Sequence, residues 1–98
     1  MKRNYIVIFK AKIKHAGETF FETAQQIRQL ALDKHHCIEF ERIDSVEQDT
    51  HVSYWDNLDD IRLWKQDIQH LIAQRHGADQ GYSYYEVEVC EILKNQAS

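Results

Sequence analysis

Apolar side chains recur at every second position from Asn4 to Ile13 (NYIVIFKAKI), where Tyr5, Val7, Phe9, Ala11 and Ile13 share the period of a β-strand. The intervening positions begin as Ile6 and Ile8 and turn into Lys10 and Lys12, so the second face is apolar only in its first half. A strand apolar on both faces is covered on both, which predicts an interior strand with two neighbours. His15-Ala16-Gly17 interrupts the alternation. From Glu18 to Leu32 apolar residues then recur at Phe20, Ala24, Ile27 and Ala31, at the spacing of one helical face. Glu18 and Glu22 near the start of that helix, and Arg28 and Lys34 further on, suit its macrodipole, with Gln25, Gln26 and Gln29 on the solvent side.

The period returns to two in Cys37 to Asp44 (CIEFERID), and Ser45 to Asp49 supplies turn residues before Thr50-His51-Val52-Ser53-Tyr54-Trp55. Two antiparallel strands joined by a short loop are expected. Asp56 or Asn57 then caps a second helix, with Asp59 and Asp60 in its first turn and Ile61, Trp64, Ile68, Leu71 and Arg75 at helical spacing. Gly77 is placed to end it near His76 as a left-handed cap. Tyr82 to Leu93 alternates again, Tyr85, Val87 and Val89 against Glu86 and Glu88, and a polar tail follows from Lys94 to Ser98. Strand, helix, strand, strand, helix, strand is the βαββαβ order of ferredoxin-like α+β folds, with an antiparallel sheet in the order 4-1-3-2.

That topology covers one sheet face with helices. The other, apolar in strands one and four, is expected to meet the same face of a second copy, giving a homodimeric α+β barrel. It also sets Cys37 and Cys90 at opposite sheet edges, three spacings of about 4.8 Å apart, beyond disulfide reach, so both are expected reduced.

Length and charge narrow the function classes. The chain has 98 residues, no Pro and three Gly, enough for one domain with a core from about residue 4 to 93. Twelve Lys and Arg against sixteen Asp and Glu give a net charge of −4, which argues against a nucleic-acid partner. The longest apolar run, Tyr5 to Phe9, is far shorter than the roughly 20 residues of a membrane helix. No apolar stretch of signal-peptide length accompanies it, so a soluble, cytoplasmic protein away from membranes is expected. Glycine-rich phosphate loops, G-x-S-x-G elbows and H-E-x-x-H motifs are absent. His35-His36-Cys37 offers at most two converging ligands, and no metal site is expected.

Residues 53–92 carry a more specific pattern. Tyr54-Trp55 ends a strand, Trp64 sits on the following helix with His70 six residues on, Ala73-Gln74 lies near the helix end, and Tyr84-Tyr85-Glu86-Val87 opens the last strand. With Phe40-Glu41-Arg42 upstream, this resembles the antibiotic biosynthesis monooxygenase domain family of small dimeric α+β barrels. The resemblance implies a pocket between helices and sheet in which an electron-rich aromatic, a quinol or a polycyclic phenol of the anthrone type, is deprotonated and reacts with O₂ without flavin, metal or other cofactor. It marks His70 as the acid/base residue, although in an unbroken helix His70 lies about 180° from the apolar stripe and turns inward only if the helix breaks after Trp64.

Tyr54 joins His70 as a catalytic candidate, and Tyr85 as a substrate-binding one; each phenol either holds a substrate oxygen or pairs with aromatic neighbours across strands. Trp64 is either a stacking wall or core. Phe9 and Gln74 complete the substrate-binding candidates. Haem-degrading relatives carry a first-strand Asn, where this chain has Phe9 or Lys10, and a haem-ligating His ten residues after the helix Trp, where it has Gln74, with His76 two residues further on. Those substitutions disfavour haem degradation. A non-catalytic barrel that binds a small apolar ligand is the competing reading.

Overall fold

A computed structural model describes residues 2–13, 18–44, 48–76 and 82–94. Four strands and two main helices follow the expected order: β1 Tyr5–Ile13, α1 Glu18–Gln29, β2 Glu39–Asp44, β3 Gln48–Trp55, α2 Leu58–His76 and β4 Tyr82–Glu91. The sheet is antiparallel throughout, ordered β2-β3-β1-β4, so β1 is interior as its two apolar faces required. The fold is the ferredoxin-like α+β class.

Local differences have local causes. The first helix does not run evenly to Leu32: it widens into a π-helical turn over Leu30–Lys34, closed by the His35 amide on the Leu30 carbonyl at 3.2 Å. His36 then takes a left-handed backbone conformation at φ 63°, a region histidine visits more readily than branched residues do, and the chain turns into β2. That strand begins at Glu39 rather than Cys37, because the Cys37 amide bonds back to the Ala31 carbonyl. At the second helix the cap is Asn57, whose Oδ1 accepts the Asp60 amide at 2.9 Å while its Nδ2 donates to the Asp60 carboxylate. The expected glycine cap at Gly77 lies outside the described residues.

Opposed residues share a sheet face. On the helix side lie Val7, Phe9 and Ala11 of β1, Asp49, His51, Ser53 and Trp55 of β3, Phe40 and Arg42 of β2, and Tyr85, Val87 and Val89 of β4. Ala24, Ile27 and Ala31 from the first helical segment and Ile61, Trp64 and Ile68 from α2 are buried, and all but Ala24 join Val7, Phe9, Ala11 and Trp55 in one core cluster. The opposite face carries Ile6, Ile8, Val52 and Tyr54, all half-buried, with Cys90 exposed. Buried side chains of both helices cluster with residues of the first face, and none of Ile6, Ile8, Val52 and Tyr54 belongs to that cluster. Among the described residues no helix is long and apolar enough to cross a membrane.

Candidate active site

The side of β3 that faces the helices is the unexpected one. Alternation along Gln48–Trp55 buries Asp49, His51, Ser53 and Trp55 and leaves Thr50, Val52 and Tyr54 on the open face. Three polar side chains of this strand therefore stand in the core, and each has a hydrogen-bond partner close by. Trp55 Nε1 donates to Ser53 Oγ at 2.8 Å. His51 Nε2 donates to one oxygen of Asp49 at 2.8 Å, and Arg42 Nε donates to the other at 2.9 Å from the neighbouring strand. A carboxylate with no exposed surface needs such partners, since an unpaired buried charge costs several kcal/mol, on the order of 3–5; Asp49 and His51 are both 0% exposed.

The bond to Asp49 fixes the histidine's tautomer: with the proton on Nε2, Nδ1 carries a lone pair. That nitrogen is buried and has no hydrogen-bond partner. Its surroundings are aromatic, with the Phe9 ring centred 5.3 Å away and the Phe40 ring 5.2 Å away, edge-on. A histidine oriented by a carboxylate and holding a free lone pair in an apolar shell is the arrangement of a general base. The sequence offers two alternating sets along this strand, Asp49, His51 and Ser53 against Thr50, Val52 and Tyr54, and the structure buries the first.

Beside this array runs a groove of about 460 Å³ between α2 and β4. Leu58, Ile61, Ile68, Tyr85, Val87 and Val89 give it apolar walls, and Arg62 and Lys65 stand among its lining residues. Tyr85 stacks on Phe9 at 5.5 Å, so a single ring, Phe9, separates the groove's tyrosine from His51.

The candidates from the sequence are divided by this geometry. Phe9 and Tyr85 are brought together between groove and histidine. Trp64 is 0% exposed; its Nε1 donates to the Ile27 carbonyl at 3.1 Å and its ring lies 5.3 Å from that of Trp55, so it ties α2 to the first helix and sheet as core rather than lining the groove. His70 is exposed, because α2 is unbroken and carries it to the far side from Trp64. Gln74 is exposed one turn later. Tyr54 lies on the open face, beneath the Arg3 guanidinium at 4.6 Å from its ring centre, with the sheet between it and the groove.

A second histidine is held in the same way. His35 is buried rather than solvated, and its Nε2 lies 2.6 Å from the Asp67 carboxylate, which Lys34 also reaches at 3.0 Å. Those bonds, that from His35 first, hold the Asp67 carboxyl below the usual range. Burial pushes the Cys37 thiol up to about 11, against the lowering effect of the Tyr54 and Glu39 carbonyls it touches. Both cysteines are free. Among the described residues no three His, Cys, Asp or Glu side chains converge as a metal site.

No family profile matches the chain. The uncharacterized protein YqjZ of Bacillus subtilis (strain 168) is 31% identical over 90 residues, covering 90% of this chain and 78% of YqjZ. Among solved structures, SnoaB, a cofactor-independent oxygenase from Streptomyces nogalater, superimposes with a TM-score of 0.70 at 11% identity, over 98% of this chain and 97% of SnoaB. A Nitrosomonas europaea protein assigned as an antibiotic biosynthesis monooxygenase gives 0.69 at 15% identity, over 99% and 97%. The N. europaea protein NE2512, of unknown function, gives 0.70 at 10%, over 97% and 94%. The chain belongs to the family of YqjZ and has the fold of the antibiotic biosynthesis monooxygenases.

Proposed function

We propose that the protein is a monooxygenase that oxidises an electron-rich aromatic, a quinol or an anthrone-type polycyclic phenol, with O₂. The observation that carries this is the unpartnered Nδ1 of His51, held by Asp49 in an aromatic shell one ring away from an apolar groove. The likeness to SnoaB, a cofactor-independent oxygenase, supports the same class, and favours it over a barrel that only binds its ligand.

In this reading the substrate ring enters between α2 and β4 and displaces Phe9 from Tyr85, which brings an acidic C–H or O–H to His51 Nδ1. His51 takes the proton and Asp49 stabilises the imidazolium that forms. The substrate anion supplies the electrons to O₂, so the protein need provide no redox group; for an anthrone, CH₂ + O₂ gives C=O + H₂O, one oxygen atom staying in the product. Apolar walls limit the water that would otherwise solvate and stabilise the anion before it reacts. In the same reading the Tyr85 phenol, a residue of the groove lining, holds the substrate oxygen.

The open sheet face, with Ile6, Ile8, Val52 and Tyr54, is proposed as the contact with a second copy, which would close the barrel. Ion pairs at its margins, Lys10 with Glu88 and Arg3 with Glu39, fit a polar rim around an apolar centre.

Oxygen uptake with a panel of anthrones and hydroquinones tests the reaction. The wild type consumes O₂ with at least one of them and His51→Ala loses about two orders of magnitude or more, the usual share of a general base. Full activity in His51→Ala would refute the assigned base.

A further inference from the structure

The chain is acidic overall at −4, yet the α2–β4 groove is lined by two cations, Arg62 and Lys65, against one carboxylate, Asp59. Arg62 and Lys65 are three residues apart and so share a helix face. Arg62 meets only that Asp59 among the described residues, at 4.0 Å with both side chains largely in solvent, a contact of little energetic weight. Lys65 has no ion-pair or hydrogen-bond partner among the described residues. Gln66 and Gln69 add neutral hydrogen-bonding groups. The rest of the lining, from both α2 and β4, is apolar, and Leu58 and Val89 are 52% and 40% exposed, so hydrocarbon is left wet along the groove.

From this combination we infer that the groove takes an amphipathic aromatic anion: a flat ring system against Ile61, Ile68, Tyr85, Val87 and Val89, with a carboxylate or similar acidic arm outside it, held by Lys65 and Arg62. Charge complementarity selects the occupant. A neutral ring would leave both cations unused, and a polyanion without rings would leave the apolar walls wet. The acidic arm also gives the ligand a fixed direction, since one end must stay at the α2 rim while the other points toward Tyr85 and Phe9. The inference rests on the groove being the substrate site and adds the substrate's charge to that reading.

Two probes that share one skeleton test it by fluorescence titration: 8-anilinonaphthalene-1-sulfonate, which carries an anion, and N-phenyl-1-naphthylamine, which does not. The anionic probe should bind about tenfold more tightly, the scale of one or two charge-assisted bonds. That preference should vanish in the Arg62→Gln/Lys65→Gln variant and shrink with added salt. Val89→Trp, at an exposed lining position, should abolish binding of both probes. If the double variant keeps the preference while Val89→Trp blocks both probes, the groove stands and the charge assignment falls. If Val89→Trp leaves both bound, or alters the oligomeric state instead, the groove is not the ligand site and the inference falls with it. Binding is read without turnover, so a protein that passes this test yet consumes no O₂ with any substrate would refute the proposed reaction and leave the anion site in place.

Discussion

The two faces of β3 reverse the usual rule for a half-covered sheet. Toward the helices it presents Asp49, His51 and Ser53, buried; toward the open side it presents Val52 and Tyr54, half-buried, next to Ile6 and Ile8 of β1. A strand in an ordinary monomer would place the second set inside. Strand β1, its immediate neighbour, follows the rule in its lysine half, burying Ala11 opposite Lys10 and Lys12, and has apolar side chains on both faces in its first half. The contrast teaches that the core of this protein gives up apolar area on one strand to house a polar array, and that the hydrocarbon of the same strand is turned to a surface that needs cover.

The sharpest way to break that contrast is to remove its buried charge. Asp49→Ala deletes two charge-assisted hydrogen bonds and leaves the buried Nε2–H of His51 without its acceptor, and should destabilise the fold by about 3–5 kcal/mol, read as a lowered urea midpoint with little change in slope. Next in size is the open face. Ile8→Asp sets a carboxylate opposite Val52 and Glu88; in a dimer two such charges are buried, at a combined cost of about 3 kcal/mol or more, so light scattering should show monomer where the wild type shows dimer. A wild type that is monomeric at micromolar concentration would sink the proposed dimer.

Smaller effects sharpen the roles of the other histidines. Asp67→Asn removes the charge that holds His35 and Lys34, and should cost about 1 kcal/mol. Because the folded Asp67 carboxyl lies below its ordinary value, its contribution is complete above about pH 4 and is lost as pH falls through the lowered folded value; the variant should therefore lose less stability than the wild type on acidification. His70→Ala and Gln74→Ala, both at exposed positions on α2, should change stability by no more than about 0.5 kcal/mol and leave oxygen uptake unaltered. Lost uptake in His70→Ala would instead return the base to α2.

The fold was legible because its signals are local and repeated. The period of two in β1 and β4, the helical spacing of Ala24, Ile27 and Ala31, and the Asn57–Asp60 cap each arise within a few residues, and together they leave few topologies open. The candidate site was legible only in part. Phe9 and Tyr85 were singled out as separate residues, but nothing in their spacing says that they stack. His70 was drawn from a pattern of residue types, and an unbroken helix turns it to solvent. His51 passed as one member of a strand, because burial of a polar side chain depends on partners that the chain supplies from elsewhere: Arg42 from β2, the rings of Phe9 and Phe40 from β1 and β2.

By itself, then, the sequence determined the order of elements, the interior place of β1, the acidic surface and the mismatch between one helix-covered sheet face and two apolar ones. Tertiary structure alone decided which side of β3 is inside, that Trp64 and Tyr54 stand apart from the groove, and that one buried histidine keeps a nitrogen free. The physical reason is range. Periodicity and capping act between neighbours along the chain, whereas the stability of a buried carboxylate or imidazole is set by groups brought to within 3 Å from distant strands, such as Arg42 against Asp49 at 2.9 Å.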